Sequence, residues 1–172
     1  MPQVVIIAGP NGAGKTTFAS DYLAAEETDF EFVNADEIAR GVESSAIQTA
    51  SDVQAARLML ARITELVEAG ADFAIETTLA NLTYAQKIPL WRSRGYQVTL
   101  IYLRLPSIEA SLARVRKRVQ AGGHDIPEDT IRRRFGKALV YFDTIYKPIV
   151  DVWYLYESQE GGFALIDSWR RS

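Results

Sequence analysis

The sequence predicts a three-layer α/β/α fold in which helices cover both faces of a mostly parallel five-stranded sheet. Apolar runs alternate along the chain with stripes at helical spacing, as successive βα units require. The runs are apolar almost throughout, which suits strands covered on both faces and not strands with one wet face. The first of them passes directly into a Gly-rich turn that can open a helix. At 172 residues and 48% hydrophobic, the chain has the length of one domain with a sizeable core, and residues 1–172 are taken as that domain.

Strands are expected at Gln3–Ala8, Phe30–Asn34, Phe73–Thr77, Val98–Leu103 and Val150–Tyr156. Glu160-Gly161-Gly162 reads as a turn into a last short strand, Phe163–Ile166. Ala56, Met59, Leu60, Ile63, Leu66 and Val67 form one helical stripe, closed by Gly70 in the position glycine prefers. Ile108, Leu112, Val115 and Val119 form a second, capped by Ser107 and ended at Gly122-Gly123. A third helix starts at Pro127-Glu128-Asp129, residues suited to a first turn, and should bury Ile131, Phe135, Leu139 and Phe142.

Composition narrows the function. A formal net charge of −3 argues against bulk nucleic acid as the main partner. No cysteine occurs, so disulfides, thiol catalysis and zinc ligation by sulfur are excluded, in keeping with a cytoplasmic location. The N-terminal apolar run is short and lacks a basic leader, so it reads as a strand and not a signal peptide. No stretch has the length needed to cross a bilayer.

Residues 9 to 16, Gly9-Pro10-Asn11-Gly12-Ala13-Gly14-Lys15-Thr16, carry the full G-x-x-x-x-G-K-[ST] phosphate-binding pattern, the Walker A or P-loop. Its strand-loop-helix setting separates it from a Gly-rich turn with an incidental lysine. Glycines let successive N–H groups turn inward onto phosphate oxygens, and the helix N-terminus adds its positive dipole end. Gly9, Asn11, Gly12, Ala13, Gly14, Lys15, Thr16 and Thr17 are therefore the candidate ATP-binding residues. Lys15 would reach the β- and γ-phosphates, and the Thr16 hydroxyl would ligate Mg²⁺.

Ligands in such sheets sit at the carboxyl ends of the strands. After the second strand comes Asn34-Ala35-Asp36, and the Asp36 carboxylate could accept an acceptor's hydroxyl proton or ligate Mg²⁺. It could equally be a helix cap. The third strand ends Glu76-Thr77-Thr78, and an acid closing a buried strand needs a partner or a ligand. Glu76 and Thr78 are thus candidates for holding substrate, although a structural Glu–Arg pair would satisfy the same constraint.

Two arginine-bearing helices joined through Gly122-Gly123-His124 make a candidate lid at about residues 107–135. Arginine suits phosphate through its permanent charge and planar fork. Arg114 and Arg118 share a helical face, and Arg132, Arg133 and Arg134 follow on the next helix. A solvated charged surface is the competing reading for each. His124, the one histidine, reads as a structural loop residue. Tyr141, Phe142, Tyr146, Trp153, Tyr154 and Tyr156 read as packing.

On Gly9–Thr17, Asn34-Ala35-Asp36, Ile75-Glu76-Thr77-Thr78-Leu79 and the run Arg118–Phe135, the chain resembles the zeta-toxin family of P-loop kinases over nearly its full length. The resemblance implies an ATP- and Mg²⁺-dependent kinase that phosphorylates a small-molecule hydroxyl, UDP-N-acetylglucosamine for the family's toxins. It implies Lys15 and Thr16 at ATP and Mg²⁺, Asp36 as acceptor-activating base, and Glu76 at the substrate. Arg118 and one of Arg132, Arg133 and Arg134 would neutralise the transferring phosphate, Arg133 being the catalytic candidate. Glu-Thr-Thr replaces the Glu-Gly-Thr of the larger toxins, which leaves the acceptor open. By the same analogy an antitoxin-like inhibitor would be a partner. A nucleic-acid-end kinase and an ATP-binding regulator without phosphotransfer are the alternatives.

Overall fold

A computed structural model of the chain describes residues 1–26, 29–35 and 48–172. Its strands are β1 (Gln3–Ala8), β2 (Glu31–Val33), β3 (Phe73–Thr77), β4 (Gln97–Arg104), β5 (Val152–Gln159) and β6 (Gly162–Arg170). They form one sheet in the order β2-β3-β1-β4-β5-β6, parallel except for the antiparallel β5–β6 hairpin. Among the described residues the sheet has six strands where five were expected, and all six lie where the sequence places strands. The last, expected as the short strand Phe163–Ile166, is nine residues long and joins the sheet, because every register position of β5 finds a partner on it. Its outer residues are exposed, so hydrophobic patterning gives it little signature.

The helices are α1 (Lys15–Ala25), α2 (Gln48–Ala69), α3 (Thr83–Ser93), α4 (Ile108–Gln120) and α5 (Glu128–Tyr141), with a π-helical turn at Phe142–Tyr146. Alternation along β1 divides the core into two faces. Val4, Ile6 and Ala8 pack with Met59 and Ile63 of α2, Ile88 and Trp91 of α3, and Phe142 and Tyr146. Val5 and Ile7 face the other way, onto Phe18 and Ala19 of α1. A third cluster joins Leu112 and Val115 of α4 to Ile131 of α5. Among the described residues no helix is long and apolar enough to cross a membrane.

The caps follow the sequence. Ser107 Oγ accepts from the Ala110 N–H at 3.1 Å, and Gly70 takes a positive φ of 64° after α2. α3 is not among the expected helices, since Pro89 stands inside it. Its buried face is nevertheless helical in spacing, through Tyr84, Ile88 and Trp91. Leu139, expected in the core, is exposed, and Ala138 occupies the buried position beside it. Ala55 likewise, and not Ala56, is the buried alanine of α2.

Candidate active site

β1 lies between β3 and β4, so the chain leaves its carboxyl end where the strand order diverges, the place for a ligand crevice in this architecture. The phosphate-binding loop spans this point. A Cβ on Gly9 would lie 2.5 Å from the Leu103 carbonyl oxygen of β4, so glycine is required there. Gly12 has φ +82°, and a Cβ on it would meet the Arg114 Cβ at 2.8 Å, so the loop can lie against α4 only without a side chain. The Phe18 N–H donates to the Gly14 carbonyl at 2.9 Å, closing the first turn of α1.

Two braces fix the loop from α4. The buried Ser111 hydroxyl donates to the Asn11 carbonyl. The Arg114 guanidinium donates to Ser158 Oγ at 2.8 Å and to the Gly12 carbonyl at 3.3 Å. Arg114 therefore supports the back of the loop, although in sequence it pairs with Arg118. Phe163 of β6 covers Gly14 from the far side, its ring 3.1 Å from where a Cβ would stand.

Inside the loop, Lys15 is buried and its ammonium donates to the Gly9 and Pro10 carbonyls at 2.9 and 3.1 Å. Beside the loop, Glu76 Oε2 accepts two hydrogen bonds. One comes from Thr16 Oγ1 at 3.0 Å and the other from Asn34 Nδ2 at 2.9 Å. The strand ends of β2 and β3 and the start of α1 thus converge on one carboxylate oxygen. Among the described residues Asn11 Oδ1 is buried without a hydrogen-bond partner, and a buried unpaired acceptor costs about 1–3 kcal/mol.

These groups open into a cleft of about 690 Å³, within the range of small-molecule sites. Asn11, Lys15, Asn34 and Glu76 line it. Arg118, His124, Arg133 and Arg134 share the same lining, as do Met59, Thr78, Asn81 and Tyr84. The described lining residues include the cations Lys15, Arg118, Arg133 and Arg134 beside the carboxylates Glu76 and Asp125. Permanent guanidinium charges in a cleft suit phosphate groups.

The predicted residues divide accordingly. Asn11, Lys15, Glu76, Thr78, Arg118, Arg133 and Arg134 share the cleft. Thr16 joins it through Glu76, whereas Thr17 is exposed and outside the lining. Arg132 is turned away, its guanidinium on the Glu128 carboxylate at 2.8 Å. That contact holds the Glu128 carboxyl below its ordinary range. Asp36 lies outside the described residues; Asn34 and Ala35 just before it line the cleft. His124 also lines the cleft, and its carbonyl accepts from Arg118 at 3.3 Å.

Sequence patterning does not reveal the wall formed by Asn81, Thr83 and Tyr84 at the start of α3. Its one signal is positional: the segment follows the carboxyl end of a central strand. Leu79, just before it, is fully buried at φ 62°. A left-handed backbone costs a branched residue roughly 1–2 kcal/mol, and such strain gathers at functional segments.

Fold and site together define a P-loop protein of kinase-like architecture. The chain belongs to an AAA domain family, whose model matches residues 4–138. An uncharacterised protein of Haemophilus influenzae is 28% identical over 133 residues, which cover 77% of this chain and 92% of its own. AvrRxo1-ORF1, in a crystal structure of its complex with ORF2 and ATP, superposes with a TM-score of 0.74 at 19% identity. That match covers 98% of this chain and 58% of the other, so the chain spans little more than half of that protein. The PezAT toxin–antitoxin system of Streptococcus pneumoniae gives a TM-score of 0.69 at 18% identity, covering 98% and 72%. The zeta-toxin-like resemblance therefore holds at the level of the fold.

Proposed function

We propose that the chain is an ATP- and Mg²⁺-dependent kinase that transfers the γ-phosphoryl group to a hydroxyl of a small molecule. The observation that carries the reading is the convergence of Thr16 and Asn34 on Glu76, in the cleft that Lys15 and the three arginines also line. The structural likeness to a protein crystallised with ATP supports the choice of nucleotide.

Lys15 would leave the Gly9 and Pro10 carbonyls for the β- and γ-phosphate oxygens, exchanging two neutral acceptors for charged ones. Arg118, Arg133 and Arg134, which line the same cleft, would neutralise the transferring group. Asp36 would accept the proton of the attacking hydroxyl, and Thr78 would help hold the acceptor.

The donor set fits Mg²⁺. Thr16 offers a hydroxyl oxygen and Glu76 a carboxylate beside it, and a magnesium ion keeps several waters and takes phosphate oxygens for the rest. Thr16 and Asp36 would hold it, with Glu76 acting through water. When bound, it would neutralise charge between the β- and γ-phosphates.

Sugar nucleotides, UDP-N-acetylglucosamine among them, are the first acceptor class to test, and an antitoxin-like protein inhibitor belongs to the same reading. The test is ATP turnover by the purified chain with Mg²⁺, with and without sugar nucleotides, nucleosides, aminoglycosides and RNA ends. An acceptor that raises turnover and gains the mass of one phosphoryl group supports the kinase. ATP binding with no stimulation by any of them favours a regulator.

A further inference from the structure

α5 does not stop at Tyr141 but passes into the π-helical turn Phe142–Tyr146, where the Lys147 N–H reaches back to the Phe142 carbonyl at 3.0 Å. Such wide turns rotate the residues downstream out of α-helical phase, and they gather at functional sites. Here the residue delivered is Tyr146, whose side chain is fully buried. Its hydroxyl donates to the Asn81 carbonyl at 2.7 Å and accepts from the Ala85 N–H at 3.3 Å. Burial pushes this phenol up to about 12, so it remains a neutral donor at working pH.

The segment it grips follows the carboxyl end of β3 and carries a strained residue. Leu79 sits there in the left-handed region, held by its N–H donating to Thr77 Oγ1 at 3.0 Å. Asn81 Oδ1 accepts from the Thr83 N–H at 3.0 Å, and Thr78, Asn81, Thr83 and Tyr84 present themselves to the cleft. Arg133 and Arg134 line the same cleft, carried by the helix that ends in this same π turn.

We propose that Tyr146 is a positioning residue: its hydroxyl couples the arginine-bearing helix α5 to the strained segment around Leu79–Asn81, so that Arg133, Arg134 and the cleft-lining residues of that segment move together. The proposal rests on the kinase reading only for the identity of the nucleotide. A purely space-filling residue would need the ring alone, and its two hydrogen bonds to the Asn81–Ala85 backbone would be dispensable.

Hydrogen exchange read by mass spectrometry on the full chain tests this, with Mg²⁺ and the non-hydrolysable ATP analogue AMP-PNP. In the wild type the analogue should slow exchange in the phosphate loop, in residues 118–134, and also in residues 78–88. The last effect should be roughly two- to tenfold, the range for one neutral hydrogen bond. Tyr146→Phe should keep the first two effects and lose the third. Thr144→Ala, on the exposed side of the same turn, should behave as wild type. Tyr146→Phe retaining protection at 78–88 would overturn the coupling. So would a wild-type chain that AMP-PNP leaves unprotected there, whatever the variant's stability. Failure to phosphorylate any acceptor would sink the kinase reading and leave this exchange result standing.

Discussion

Thr16 Oγ1 donates to Glu76 Oε2 at 3.0 Å, joining the first turn of α1 to the end of β3 across 60 residues of sequence. Asn34 Nδ2 donates to the same oxygen at 2.9 Å, so the carboxylate is fixed from the start of α1 and the end of β2. On the proposed reading, a carboxylate held this way would orient a metal-bound water.

Glu76→Gln should therefore leave the fold and ATP affinity nearly intact while lowering turnover. Outer-shell partners of metal sites typically matter by roughly 10–100-fold, and that is the expected loss. Turnover and ATP titration measured side by side check it. Equal turnover in the variant would remove Glu76 from the metal side of the cleft.

Lys15→Met should lose nucleotide binding and turnover together. Hydrogen bonds to charged groups contribute roughly 1.5–3 kcal/mol, so ATP affinity should fall by roughly tenfold or more. Calorimetric titration with Mg·ATP reads this directly.

Two glycines separate strain from function. Gly12 and Gly70 both have positive φ, but only a Cβ on Gly12 meets a neighbour within 4 Å. Gly70→Ala should cost roughly 1–2 kcal/mol of stability and leave ATP affinity unchanged. Gly12→Ala must also push Arg114 and α4 off the loop, and should weaken ATP binding several-fold. Thermal unfolding and ATP titration on both variants distinguish the outcomes.

The three consecutive arginines should behave differently. Arg132 pairs with Glu128 at the surface, so Arg132→Ala should change stability by no more than about 0.5 kcal/mol and leave turnover intact. Arg133→Ala and Arg134→Ala, which open the cleft wall, should each lower turnover by roughly tenfold or more. Parallel kinetics on the three variants check the assignment.

That triplet also marks where the sequence stops being readable. Neighbouring helical residues point about 100° apart, so three arginines in a row cannot all face one cleft. Which of them does is set by how Ile131 and Ala138 seat α5 in the core, a tertiary fact. The phosphate loop, by contrast, is legible because its geometry is local: Gly12 and Lys15 act within eight residues. Glu76 is legible as an acid closing an apolar strand.

Helix α3 is hidden by Pro89, and with it the wall formed by Asn81 and Tyr84. β6 reads short in the sequence because an exposed edge strand needs no continuous hydrophobic pattern. Tyr146 reads correctly as core, yet nothing in the sequence marks the π turn that aims its hydroxyl at Asn81.

The central claim is phosphoryl transfer, and transfer of a labelled γ-phosphoryl group from Mg·ATP tests it most directly. The wild-type chain, Lys15→Met and Asp36→Asn would each be incubated with the acceptor panel and the products weighed. One acceptor class should be labelled by the wild type and by neither variant, with Asp36→Asn still binding ATP. Label released only to water at one rate whatever the acceptor, or transfer undiminished in Asp36→Asn, would contradict it.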